Sequence, residues 1–228
     1  MFDYQLSFIL ILIASALGIW AQSAVRSNYH KYSKVLNKRG IKGAEAARFI
    51  LDSNGLDDVE ITRIGGELTD HYDPSKKIIA LSNGVYDEET ISAVAVAAHE
   101  VGHAIQDKER YTFLKFREGL FPVVSLASRS FWPMLLIGII LSATSLINFG
   151  IVLFAFTVIF QLVTLPVEID ASRRAINNLT SQGIILEDEK SSSKKVLEAA
   201  AMTYLAAALM SLTQLFRFYS LYGRNDRD

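Results

Sequence analysis

The distribution of charge along the chain constrains its fold before any single residue does. From Ser130 to Val167 there are 38 consecutive residues without Asp, Glu, Lys or Arg, and from Tyr4 to Val25 there are 22. A helix needs about 20 mostly apolar residues to cross a bilayer, so the longer block reads as a hairpin of two spans and the shorter as a single span. Within the longer block "INFG", with Asn148 and Gly150, supplies turn chemistry for the hairpin tip. Pro133 and Pro166 suit the ends of its helices better than their interiors. A third block, Ala199 to Phe216, is 18 residues long and is diluted by Thr203, Ser211, Thr213 and Gln214. It reads as a fourth span, with a half-buried helix packed on the soluble part as the alternative.

Tyr4–Val25 could also be a signal peptide, with "ASA" at Ala14–Ala16 as its cleavage site. Such peptides carry positive charge in front of the apolar run, however, and here Asp3 precedes it while the basic residues follow. An uncleaved helix is the better reading. Arg26, Lys31, Lys34, Lys38, Arg39 and Lys42 then follow with no acid until Glu45, so this side is expected in the cytoplasm. The expected layout is a span at 4–25, a cytoplasmic domain at 26–129, a helical hairpin in the membrane at 130–167, a cytoplasmic segment at 168–198 and a span at 199–216. This is a mainly α-helical multi-pass protein of the cell (inner) membrane with a small α+β domain. The net charge of −1 gives no electrostatic case for binding nucleic acid. With no cysteine, any metal must be held by nitrogen and oxygen ligands.

In the soluble part "GAEAARFILDSNGL" reads as a helix ended at Gly55, "DVEITRIGG" as a strand and "ELTDHYDPSKK" as a loop. "KIIALS" is a second strand; the plain reading is a strand packed in the sheet, and an edge position, where it could pair with an extended peptide, is the bolder one. "DEETISAVAVAAHEVGHAIQ" is an alanine-rich helix with acids at its start. On that helix His99 and His103, at i and i+4, share one face and can point two imidazoles at one ion. Glu100 stands about 100° around the helix, beside rather than within that pair. A zinc ion held there acidifies a water, whose proton Glu100 can take as the water attacks a carbonyl. Gly102 costs the helix roughly 1 kcal/mol relative to alanine, which hints at close backbone packing. Two histidines alone bind zinc weakly, and a catalytic site wants a third protein ligand. "LPVEIDASRRA" supplies two candidates where the chain re-emerges on the motif's side. Glu168 is taken as the third ligand; Asp170 is the alternative, or orients a ligand histidine from behind.

"GGELTDHYDPSKKIIALS", "AVAVAAHEVGHAIQ" and "LPVEIDASRRA" together resemble the YugP-type membrane neutral zinc metallopeptidases of bacteria, and the resemblance covers essentially the whole chain. It implies a zincin-like catalytic domain, a Zn²⁺ cofactor, His99 and His103 as metal ligands and Glu100 as catalytic base. The layout is also similar to the heat-shock membrane protease HtpX and the CAAX prenyl endopeptidase, in which the glutamate of E-x-x-x-D is the third ligand. Here Glu168 and Asp170 are spaced E-x-D, a departure from that pattern.

His71, in "TDHYDP", is a candidate oxyanion donor; Tyr72 and Tyr86 are not singled out for that role, and His30 is expected to be inert. The expected function is hydrolysis of polypeptide, membrane-associated or unfolded, near the cytoplasmic membrane face. Two other readings stay open: a membrane scaffold or partner-binding subunit with a structural or degenerate zinc site, and hydrolysis of a non-peptide amide or ester. Partners in the bilayer, including a second copy of the chain, are compatible with either.

Overall fold

A computed structural model describes residues 2–222, with side chains from Gln5 onward. Its elements in chain order are α1 (Phe2–Tyr32), α2 (Gly43–Ser53), β1 (Glu60–Ile64), β2 (His71–Asp73), β3 (Ile78–Ser82), α3 (Asn83–Tyr86), α4 (Ile91–Lys108), α5 (Thr112–Ile140), α6 (Thr144–Ser181) and α7 (Glu187–Tyr222). Four helices, α1, α5, α6 and α7, are long and apolar enough to cross a membrane. Each overruns the apolar block that announced it, because charged residues continue the helical hydrogen-bond ladder beyond the apolar stretch. The described residues divide into two compact units, one of residues 2–21, 112–166 and 203–222, the other of 22–111 and 167–202.

The apolar unit contains a small core of Phe131, Leu135 and Phe218, against which Phe154 packs with ring centroids 4.9 Å from Phe131 and 5.4 Å from Phe218. Two expectations fail here. The hairpin between α5 and α6 turns at Leu141–Ala143, where Ser142 has φ +51°, and not at "INFG". Asn148 and Gly150 lie inside α6. Gly150 serves close approach instead of a turn: a Cβ there would stand 3.3 Å from the backbone nitrogen of Leu135. Pro133 and Pro166, with Pro122, are inside helices and not at their ends. Apolar surroundings leave a helix as the only way to satisfy the backbone, so a proline is tolerated there where water would favour breaking the helix.

The second unit is α+β. Its three-stranded sheet has the order β1–β3–β2, with β1 parallel and β2 antiparallel to β3. "KIIALS" is therefore the central strand, not an edge; Ile79, Ala80, Leu81 and Ser82 are all buried. A strand buried on both faces reads as a continuous apolar run, whereas the true edge β2 is three residues long and was hidden in a polar stretch. Helix α2 ends as its sequence indicates, with Gly55 just beyond the cap at φ +63°. Thr90 caps α4 by accepting a hydrogen bond from the Ala93 amide at 3.2 Å. Most of α4 is buried, including Val94, Ala97, Ala98, Val101 and Ala104. It joins Ile50 and Leu51 of α2, Ile79 and Leu81 of β3, and Leu179, Ile184 and Ile185 in one core.

The seam between α2 and α3 is set by Gly43, where an added Cβ would lie 2.1 Å from the Val85 carbonyl oxygen. That neighbour is backbone and cannot rotate away. Gly43→Ala should therefore lower stability by roughly 1–3 kcal/mol, the usual cost of overpacking. Gly119→Ala, where nothing lies within 4 Å, should be neutral or stabilising. Thermal unfolding of the two variants in detergent checks the contrast.

Candidate metal centre

Helices α4 and α6 meet at a glycine. A Cβ on Gly102 would stand 2.6 Å from the carbonyl oxygen of Ala171, so only glycine allows this approach. The hint in the sequence of close packing at Gly102 thus has a specific partner. The contact falls between His99 and His103 on α4 and between Glu168 and Ser172 on α6.

The cluster follows from that crossing. Glu168 Oε2 lies 3.3 Å from His99 Nε2 and 3.5 Å from His103 Nε2. One ligand atom from each of the three residues can be chosen so that all lie within 4.8 Å of one another. The side chains are 13%, 11% and 6% exposed, so the group is nearly buried. In a tetrahedral zinc site with bonds of about 2.1 Å, ligand atoms are separated by about 3.4 Å. The two nitrogen–oxygen separations match that spacing and the widest ligand-atom separation is up to 4.8 Å; two imidazole nitrogens and one carboxylate oxygen are a donor set suited to zinc.

The far nitrogen of each imidazole is also engaged. His99 Nδ1 lies 3.2 Å from Ser172 Oγ. His103 Nδ1 lies 3.0 Å from Gln106 Oε1. Gln106 is fully buried, and its amide nitrogen donates to the Val167 carbonyl at 2.8 Å and to Asp170 Oδ2 at 3.0 Å. Both amide hydrogens are thereby used, so the oxygen facing His103 can only accept. The proton of neutral His103 must then sit on Nδ1, which leaves the Nε2 lone pair directed at the cluster.

Asp170 itself does not enter the cluster. Its carboxylate accepts from Gln106, from Arg174 Nε at 2.6 Å and from Arg173. Arg174 in turn pairs with Glu109 at 2.7 Å. A carboxylate so engaged is fixed in place as a brace behind His103, acting through Gln106. Of the two acids in the sequence, Glu168 is the one brought to both histidines.

Glu100 is 8% exposed. Burial pushes its carboxyl up to about 7, helped by the nearby charge of Glu168 and Asp70, while His99 and His71 pull the other way. A carboxylate poised near neutrality is suited to taking and returning a proton, and a cation held by the cluster would act in the direction of the histidines.

His71 is exposed on β2, with Nδ1 2.9 Å from the Thr69 carbonyl, to which it can only donate. Its charge is felt at Glu100, but in the neutral ring Nε2 has no hydrogen to give. Tyr72 donates to Asp107 at 3.1 Å, and Tyr86 lies under Arg63. Asp70 is turned inward, accepting from the amide and hydroxyl of Ser82. His30 pairs with Glu67 on the surface at 3.3 Å.

Sequence reasoning missed Gln106 and Ser172. Gln106 follows His103 by three residues, one helical turn, and was quoted without a role. Ser172 follows Glu168 by four, the place where the HtpX-like pattern has its aspartate.

The comparisons agree with this chemistry. Residues 7–223 match the family described as "Putative neutral zinc metallopeptidase". The chain is 50% identical over 222 residues, 97% of its length and 98% of the relative's, to the "Putative membrane protease YugP" of Bacillus subtilis (strain 168). No solved structure matches the chain.

If Gln106 fixes the ring of His103, Gln106→Met should weaken zinc binding 10- to 100-fold, the usual cost of losing an outer-shell partner. Gln106→Glu keeps an acceptor for Nδ1 but sets a carboxylate oxygen against Asp170 and the Val167 carbonyl, so it should not restore the affinity. Competition with a chromogenic chelator measures both; unchanged affinity in Gln106→Met would refute the role. By a family match over residues 7–223, the chain belongs to the family described as "Putative neutral zinc metallopeptidase".

Proposed function

We propose that the protein is a membrane-embedded, zinc-dependent endopeptidase that cuts polypeptide near the cytoplasmic face of the cell membrane. The observation that carries this reading is the convergence of His99, His103 and Glu168 beside the buried carboxyl of Glu100. The three would hold a zinc ion through two imidazole nitrogens and one carboxylate oxygen, the donor number of a catalytic site. Bound zinc supplies a Lewis acid that polarises a carbonyl and acidifies a water.

The rest is done by the chain. Glu100 accepts the proton of the attacking water and returns it to the leaving amine, a role that requires a carboxyl able to be charged and neutral near pH 7. Gln106 and Ser172 hold the two imidazoles in the orientation that presents Nε2. Asp170, Arg174 and Glu109 keep Gln106 in place. His71 can donate to the oxyanion of the tetrahedral intermediate only as an imidazolium, since Nδ1 is committed to Thr69. The cytoplasmic setting rests on the basic run Arg26–Lys42 after the first span. The substrate class rests on Glu168 following directly on a charge-free membrane block, which favours polypeptide held at the bilayer surface.

Glu100→Gln should retain near-stoichiometric zinc and lose at least 100-fold in cleavage of an unfolded reporter such as casein by the detergent-purified protein, in line with removal of a general base. Full activity in that variant would sink the mechanism. Stoichiometric zinc without cleavage in wild type would favour the scaffold reading.

A further inference from the structure

One charge of the chain lies where its neighbours cannot satisfy it. Between Gly119 and Val167 the only ionisable acid or base is Arg129. The contacts of the hairpin give its depth. Leu135 lies against Gly150, Gly138 against Ile147, and Phe131 against Phe154. Carried down α5, that antiparallel register places Arg129 level with Phe156. The charge-free stretch of α6 runs from Thr144 to Val167, so Phe156 is at its centre. Arg129 is eleven residues from the end of α5 at Ile140, about 17 Å at 1.5 Å per residue. A hydrocarbon core of about 30 Å therefore puts it near the midplane, too deep for its side chain to bring the charge fully to the headgroups.

The face it occupies is also defined. Val124, Ala127, Phe131, Leu135 and Gly138 form the buried face of α5. Arg129 is about 200° around the helix from both Ala127 and Phe131, by the 100° step per residue. It lies on the opposite stripe with Leu126, Trp132 and Leu136, which are 69%, 54% and 52% exposed. Arg129 is exposed, and among the described residues no hydrogen bond or ion pair engages it.

An arginine at mid-bilayer depth on a lipid-facing stripe is costly unless it is paired, and intramembrane charges mark functional contacts. We propose that this stripe of α5 docks a transmembrane helix of another protein that carries an Asp or Glu near its midpoint. A second copy of this chain does not fit. It would set arginine against arginine, and neither Tyr4–Val25, Gly119–Val167 nor Ala199–Phe216 contains an acid. The carboxylate must come from a different chain, with the apolar side chains around Arg129 supplying the packing surface and the ion pair its depth and register. This inference does not depend on the metal centre.

The test uses the full chain reconstituted in phosphatidylcholine vesicles with a fluorescence donor. The probes are lysine-flanked leucine–alanine transmembrane peptides with an acceptor, bearing Glu, Gln or Leu at the central position. The Glu peptide should associate at least tenfold more tightly than the Leu or Gln peptide, and Arg129→Leu should abolish the difference. Arg129→Glu should lose the Glu peptide and gain a peptide with central Arg, which guards against a variant that simply misfolds. Equal association of the Glu and Leu peptides with wild type would overturn the proposal. So would equal association of the Glu and Gln peptides, or a Glu preference that survives in Arg129→Leu.

Discussion

The close crossing of α4 and α6 at Gly102 and Ala171 is the contact on which the metal centre depends. A single added methyl at Gly102 would meet a backbone carbonyl at 2.6 Å. With the two backbones that near, short side chains suffice to bridge them. Glu168 reaches both histidines, Ser172 reaches His99, and Asp170 reaches Gln106. The crossing segment of α6 thus brings Glu168, Asp170 and Ser172 to the cluster, while α4 brings His99, Glu100, His103 and Gln106. Separating the helices by even an ångström would loosen the whole set at once, so the glycine sets the geometry of the cluster without belonging to it.

The polar contacts behind the histidines have a second consequence. Imidazole can protonate on either nitrogen, and only a free Nε2 serves the cluster. The doubly donating amide of Gln106 resolves that choice for His103, because its two hydrogens are already committed to Val167 and Asp170. Arg173 and Arg174 hold Asp170, and Glu109 holds Arg174. The chain of contacts therefore runs from a surface ion pair to a ligand nitrogen, which is how a site made only of nitrogen and oxygen donors is kept in geometry without cysteine.

Much of this was legible in the sequence, for reasons that can be named. Charge-free blocks of span length announce membrane helices because an apolar solvent permits little else. His99, Glu100 and His103 were readable because an α-helix turns i and i+4 to one side. Glu168, taken over Asp170 from the sequence, is the acid the fold brings to both histidines; the reason, that the arginines claim Asp170, is a tertiary fact. The hairpin turn was misplaced because Asn148 and Gly150 carry turn chemistry, whereas a glycine in a membrane helix serves packing as readily. "KIIALS" packs within the sheet, as its plain reading has it, and the edge alternative fails because the edge strand β2 is short and polar and was read as loop. Gln106 escaped notice because its role lies in three simultaneous hydrogen bonds, none visible in one dimension.

The central claim is that His99, His103 and Glu168 together hold one zinc ion. Zinc K-edge X-ray absorption on the detergent-purified wild type and Glu168→Gln tests it most directly. The account predicts a four-coordinate site with only nitrogen and oxygen neighbours at about 2.0–2.2 Å, two of them showing imidazole outer-shell scattering. In Glu168→Gln the zinc should be lost or its shell changed. A wild-type spectrum lacking two imidazoles, or a spectrum unaltered in Glu168→Gln, would contradict it.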